Sequence, residues 1–139
     1  MKKYELLLDD TKVIGNTTLY RIRYIRDFAN IKAGELGGYI EKEENLSHDG
    51  DAWVFDNAWV YGNARVFGDA RVSDNARVFG NAWVYGNAWV LGNARVFGNA
   101  LVFGNARVSG NARVYGNARV SGNARVLDNA LVCDNARVF

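Results

Sequence analysis

Cysteine and histidine are almost absent from this 139-residue sequence, and it has no long apolar segment. The one cysteine, Cys133, excludes an internal disulfide and is typical of a reducing compartment. The N-terminal segment MKKYELLLDD meets acidic residues after a very short apolar run. It therefore indicates neither a signal peptide nor a membrane span. From these features we expect a soluble cytoplasmic protein.

The single histidine, His48, limits the catalytic and metal sites that the chain could form. It lies among Ser47, Asp49 and Asp51, and a lone histidine lacks the companion groups of a catalytic site. We interpret His48 as a solvated loop residue and Cys133 as an inert surface thiol. One histidine cannot supply a three-histidine zinc site, and we expect neither a metal nor another cofactor.

From Gly50 to Phe139 the chain repeats a six-residue unit fifteen times without an insertion. A typical copy is the segment Gly-Asn-Ala-Arg-Val-Phe at residues 92–97. The third position is alanine and the fifth is valine in every copy. A fixed short period of this kind indicates a solenoid, in which each repeat packs on its neighbours.

The repeat also predicts the path of the chain. Alanine and valine are two positions apart, so they point to the same side of an extended backbone, while the residue between them points outward. The Gly-Asn pair supplies a corner, because both residues tolerate positive φ. Three repeats then form one 18-residue coil, so fifteen repeats form five coils around a dry core of alanine and valine. Stacked asparagines, from Asn57 to Asn135, are expected to form side-chain ladders at the corners.

The first part of the chain has a different pattern. Two apolar segments flank a Gly-Asn-Thr-Thr turn, a hairpin signal, so residues 1–37 predict a β-hairpin cap. When the six-residue frame is extended backwards, it predicts that residues 38–49 form a degenerate capping coil. The regular solenoid then follows at residues 50–139. That frame places Ile40 and Leu46 at alanine positions, where they would cover the first rung of the core.

The run Val-Tyr-Gly-Asn-Ala-Arg resembles the hexapeptide repeat of left-handed parallel β-helices, and the repeat covers about two thirds of the chain. The segment 32–40 resembles small YdcK-like hexapeptide proteins of bacterial and phage or prophage genomes. The resemblance implies an all-β fold, a single-stranded left-handed parallel β-helix, and the handedness comes from it alone. Many hexapeptide-repeat proteins are acyltransferases with a histidine base, and His48 is the one candidate here.

Variation between repeats is concentrated at the outward positions, where a partner would be recognised. Taking every third repeat sorts these positions onto three faces. Residues 75–127 contain six arginines but no lysine and no acidic residue. On the second face Arg77, Arg95 and Arg113 stack beside a column of Tyr61, Phe79, Phe97, Tyr115 and Cys133.

Like charges about 5 Å apart repel by on the order of 1 kcal/mol in water, so these stacked arginines favour an anionic partner. Outward aromatic residues at this density also suggest a covered surface; the tryptophans among them are Trp53, Trp59, Trp83 and Trp89. The alternative interpretation is structural. Arginine stems cover the sheet, the guanidinium groups extend into solvent, and repeat duplication copies the residue.

The regular pattern continues to Phe139 without a cap. An open parallel edge there would favour pairing with another chain. We therefore predict a closed homodimer with Leu131, Cys133 and Phe139 near the contact. Aspartates replace the first-position glycine only in the outer repeats, and they would discourage growth into fibres; they are Asp56, Asp74, Asp128 and Asp134.

Together these patterns predict a non-catalytic binding or scaffold solenoid. It would present an arginine and aromatic surface to a protein or anionic partner. A phage or prophage origin, with interference against a host or defence factor, follows from the resemblance alone. Two alternatives remain open, a hexapeptide-type acyltransferase and a protein that binds nucleic acid or nucleotides through the second face.

Overall fold

Each six-residue repeat folds into one two-residue strand and one corner. A computed structural model describes residues 2–139. Three longer strands come first: β1 (Tyr4–Ile14), β2 (Thr17–Tyr24) and β3 (Leu36–Ile40). The repeat strands are β4 (Trp53–Val54), β5 (Trp59–Val60), β6 (Arg65–Val66), β7 (Arg71–Val72), β8 (Arg77–Val78), β9 (Trp83–Val84), β10 (Trp89–Val90), β11 (Arg95–Val96), β12 (Leu101–Val102), β13 (Arg107–Val108), β14 (Arg113–Val114), β15 (Arg119–Val120), β16 (Arg125–Val126), β17 (Leu131–Val132) and β18 (Arg137–Val138).

The repeat strands form three parallel sheets, which are the three sides of a solenoid. One sheet runs β5-β8-β11-β14-β17, the second β4-β7-β10-β13-β16 and the third β6-β9-β12-β15-β18. Adjacent strands of a sheet are one coil apart, so Arg95 lies opposite Arg77 and Arg113 in register. The predicted 18-residue coil and the sorting of outward residues onto three faces are confirmed.

In the regular coils the core consists of the inward residues of the repeat, and buried side chains of the N-terminal segment continue it. From Ala52 to Val120 every alanine at the third position and every valine at the fifth is buried. Burial of each valine side chain contributes about 1.5 kcal/mol or more, and the total grows with the number of coils. The second, fourth and sixth positions all point outward and form parallel columns along each side.

The N-terminal strands extend one of these sheets. Strands β1 and β2 form the predicted antiparallel hairpin, and β2 pairs antiparallel with β3. Strand β3 then pairs parallel with β5. The solenoid therefore has about six turns, because β3 and the segment after it add a turn to the five regular coils. No α-helix occurs in residues 2–139, and a short 3-10 turn lies at Glu43–Asn45.

The frame predicted for this first turn is wrong by two residues. Ile40 lies opposite Val60, and Leu46 forms a bridge with Val66, so both occupy valine positions and not alanine positions. Both side chains are fully buried, since a valine site admits a larger aliphatic group than an alanine site does. The chain absorbs the difference with two extra residues between Leu46 and Val54.

The corners depend on backbone that only certain residues adopt. The first-position glycines of the repeats have φ between +62° and +72°. At Gly98 a Cβ atom would lie 2.9 Å from the backbone nitrogen of Gly116 in the next coil. The aspartates at this position also have positive φ, 56° to 59°. Asp74 compensates, because its carboxylate accepts a hydrogen bond from the amide of Gly92 at 3.0 Å.

The asparagines next to these glycines form the predicted ladders. From Asn63 to Asn135 the side-chain amide donates to the side-chain oxygen of the asparagine one coil on, at 3.3 Å in the longest ladder. The predicted start at Asn57 is wrong, since neither Asn57 nor Asn75 forms such a bond. That ladder comprises Asn63, Asn81, Asn99, Asn117 and Asn135. Each corner is thus held by side-chain and backbone bonds along the same direction.

The corner geometry predicts a graded response to substitution at Gly98. Gly98→Ala should lower the free energy of unfolding by about 1–3 kcal/mol, because a Cβ atom enters a positive-φ site and meets the next coil. Gly98→Asp should cost less, since its carboxylate can accept the amide of Gly116. Chemical denaturation would measure both values. Gly15→Ala is the control, because Gly15 has φ +58° with nothing within 4 Å of its Cβ position. A cost for Gly15→Ala equal to that of Gly98→Ala would contradict this account.

Candidate functional site

The second face carries a column of three arginines, here called the arginine column: Arg77, Arg95 and Arg113. They lie on β8, β11 and β14 in direct register. The guanidinium of Arg77 lies 4.1 Å from the ring centroid of Trp59, which precedes it in the column. Among residues 2–139 no carboxylate lies within 4.0 Å of the three guanidinium groups. The column therefore carries three positive charges without a neutralising partner.

A groove runs along Trp59, Arg77 and Arg95, the part of the second face nearest the cap. Its volume is about 490 Å³. The corner asparagines Asn57, Asn75 and Asn93 also line it, together with Lys12 of the hairpin. The groove thus combines amide groups that can donate or accept hydrogen bonds with a row of cations. This composition suits an elongated acidic group.

The aromatic residues of this face stack on one another. Successive rings of Tyr61, Phe79, Phe97 and Tyr115 are 5.1, 4.9 and 5.0 Å apart and within 6° of parallel. All four side chains are half-buried. Each ring therefore covers the face of the next, and the column needs no external partner to be covered. The stacked rings therefore do not require a partner that covers them.

The first face carries more cation–π contacts than the second. Arg71 lies between the rings of Trp53 and Trp89, at 5.6 and 5.0 Å from their centroids, and Arg107 lies 4.6 Å from Trp89. These cation–π contacts give Arg71 and Arg107 a partner within the protein, as Trp59 does for Arg77. The signal was available, because sorting by face already shows tryptophan and arginine alternating. Asp51 and Asp69 also line the groove on this face, so it is less suited to an anion.

His48 is held in the cap of the solenoid, and its interpretation as a solvated loop residue is wrong. Its Nδ1 accepts a hydrogen bond from the backbone amide of Lys3 at 3.0 Å, and its Nε2 lies 2.8 Å from Glu43. The ring stacks on Tyr4 with centroids 4.1 Å apart. Because Nδ1 accepts, the ring proton is on Nε2 and is donated to Glu43. That bond holds the pKa of the Glu43 carboxyl below its ordinary value.

A buried lysine lies next to this histidine, and no sequence pattern indicated it. Lys3 has no exposed surface. Its ammonium donates to the carbonyl oxygen of Ala52 at 2.6 Å and lies 4.7 Å from the ring centroid of Phe28. Burial, together with the charge of Arg26, lowers the pKa of Lys3 to about 8. The cap therefore tolerates a cation only at an energetic cost.

The residues predicted to form a dimer contact lie at the other end of the solenoid. Leu131 is 61% exposed and Phe139 is 87% exposed, while Cys133 is a half-buried free thiol beyond Tyr115. No partner chain is present, so the homodimer stays a prediction.

Within the described residues, no cluster of histidine, cysteine, aspartate and glutamate is arranged to hold a metal ion. No helix among them is long and apolar enough to cross a membrane.

Comparison with known proteins identifies one family model. The model is described as the YdcK beta solenoid repeat, and it matches residues 58–71, 70–86, 94–110, 106–120 and 118–134. These matches lie within the regular coils that carry the arginine column. No curated protein matches the chain.

The buried lysine predicts a rise of stability in mild alkali. Between pH 8 and 10 the unfolded chain keeps the Lys3 proton and the folded chain loses it, so the free energy of unfolding should rise by roughly 1–3 kcal/mol. Above about pH 10 stability should fall, because burial raises the pKa of Tyr4 and Tyr24 in the folded state. Chemical denaturation across this pH range would measure the change.

Lys3→Met should remove the rise between pH 8 and 10, while the exposed control Lys32→Met should keep it. An equal rise in the protein with Lys3 and in the Lys3→Met variant would contradict the assignment.

Proposed function

The chain belongs to the YdcK β-solenoid repeat family, and we propose that it is a non-catalytic scaffold that binds an acidic partner along the arginine column. The partner we favour is an acidic protein surface. A YdcK-type solenoid has a rigid side on which side chains recur at the spacing of strands, about 4.8 Å. Such a side suits an extended partner better than a small substrate.

The observation that carries this proposal is the charge of the arginine column. Arg77, Arg95 and Arg113 lie in register without a carboxylate partner among residues 2–139. Each adjacent pair repels by on the order of 1 kcal/mol in water, and the fold does not require that cost. An acidic partner in the adjoining groove would relieve it, and Lys12 would add a further cation.

The two alternatives have less support. An acyltransferase would need His48 as its base, and both ring nitrogens of that side chain already have partners in the cap. Binding of single-stranded nucleic acid commonly uses open aromatic faces on which bases stack. In the column of Tyr61, Phe79, Phe97 and Tyr115 each ring covers the next. We therefore favour a protein partner.

Two further parts of the proposal concern the origin of the protein and its association into a dimer. A phage or prophage origin, and with it interference with a host or defence factor in the bacterial cytoplasm, is supported only by the resemblance of residues 32–40 to YdcK-like proteins. Association of two copies through the coil that carries Leu131, Cys133 and Phe139 is supported by the exposure of Leu131 and Phe139.

Binding of an acidic polypeptide tests the proposed surface. Polyglutamate should bind the wild-type chain with an affinity that falls as salt concentration rises, because guanidinium–carboxylate attraction is screened. Arg95→Glu with Arg113→Glu should abolish binding in fluorescence anisotropy. The control is Arg119→Glu with Arg137→Glu, an in-register pair on the third face with the same change of charge.

Salt-independent binding, or equal losses in the two double variants, would contradict the proposal. A single-stranded oligonucleotide that binds tighter than polyglutamate at equal salt would favour the nucleic-acid alternative. Light scattering on the same samples reports on association, and a monomer at every concentration would contradict the homodimer.

A further inference from the structure

A second cavity lies on the third face, under the cap and away from the arginine column. Its volume is about 610 Å³. Leu46 and Val66, both buried, form its floor, and the rings of Phe67 and Trp83 form one wall. The loop after Leu46, which carries the two extra residues of the first turn, contributes Ser47, His48 and Asp49 to its lining.

Trp83 differs from the other three tryptophans of the chain. The rings of Trp53, Trp59 and Trp89 each have a guanidinium within 5.6 Å of the centroid. No cation of the described chain lies over the ring of Trp83, which contacts Phe67 edge to face at 5.7 Å. Trp83 is also 42% exposed. Part of this ring is therefore exposed, and it lines the cavity.

The charge of the cavity is opposite to that of the arginine column. Three carboxylates line it, those of Glu43, Glu44 and Asp49, against the guanidinium of Arg65, and Lys2 forms an ion pair with Glu43 at 3.2 Å. Glu44 and Asp49 are exposed and form no ion pair within 4.0 Å in residues 2–139. Glu43 is kept ionised, because the hydrogen bond from His48 holds its pKa low. The cavity thus has an excess of negative charge next to an open aromatic face.

We propose that this cavity binds a small organic cation of the quaternary ammonium class. The methyl groups of such a cation would pack on the rings of Trp83 and Phe67, where the electron-rich π face attracts positive charge. Glu44 and Asp49 would supply the negative charge. A quaternary ammonium has no N–H group, so its binding leaves no hydrogen-bond donor without a partner. This site is independent of the proposed acidic partner, since it uses another face and the opposite charge.

Isothermal titration with choline tests this assignment, with its neutral carbon isostere as the matched probe. In the isostere a tert-butyl group replaces the trimethylammonium group, so shape is kept and charge is lost. Choline should bind the full chain at one site, about tenfold or more tighter than the isostere. Equal affinity of the two probes, or no choline binding at millimolar concentration, would overturn the proposal.

Variants separate the site from general effects on the fold. Trp83→Ala should weaken choline binding about tenfold. The control Trp59→Ala, which removes a ring already covered by Arg77, should leave it unchanged. The double change Glu44→Gln with Asp49→Asn alters only exposed groups, and it should weaken choline binding without changing binding of the isostere. Equal loss in Trp59→Ala and Trp83→Ala, or full affinity in the double variant, would contradict the assignment.

Discussion

The register between coils is the constraint on which the whole molecule depends. Backbone amides of the second, fourth and sixth positions donate to carbonyl groups one coil on, as Asn93 does to Gly110 at 2.8 Å, Arg95 to Ala112 at 3.0 Å and Phe97 to Val114 at 2.9 Å. Each residue therefore stacks on the residue at the same position of the next coil. The constant alanine and valine positions therefore form a continuous core. Each outward position forms a column of side chains along one face.

The columns also explain why this surface is pre-organised. Asparagine ladders and stacked rings hold neighbouring side chains in place, so little side-chain freedom remains to be lost on binding. The outward charges differ by face. The arginine column has no anionic neighbour, the groove of the first face contains Asp51 and Asp69 beside its arginines, and the cavity on the third face has an excess of carboxylates. The solenoid thus has three faces with different side chains, because the outward positions of the repeat vary while the inward positions are constant.

The regular coils could be predicted from the sequence, and the cap could not. Alanine and valine recur without exception from Ala52 onward, so the coil length, the core and the sorting of Arg77, Arg95 and Arg113 follow from period alone. In the first turn the period is broken by two extra residues, which moved Ile40 and Leu46 to valine positions. The bond between His48 and Lys3 joins residues far apart in the sequence, and no local pattern indicates it.

Cross-linking of paired cysteines tests the register most directly. In a chain with Cys133→Ser, the pair Arg95→Cys and Arg113→Cys should form a disulfide on oxidation, because strands about 4.8 Å apart are within bridging distance. The pair Arg95→Cys and Arg107→Cys is closer in sequence but lies on different sheets, so it should not. Efficient cross-linking of the second pair, with none of the first, would contradict the coil on which the account rests.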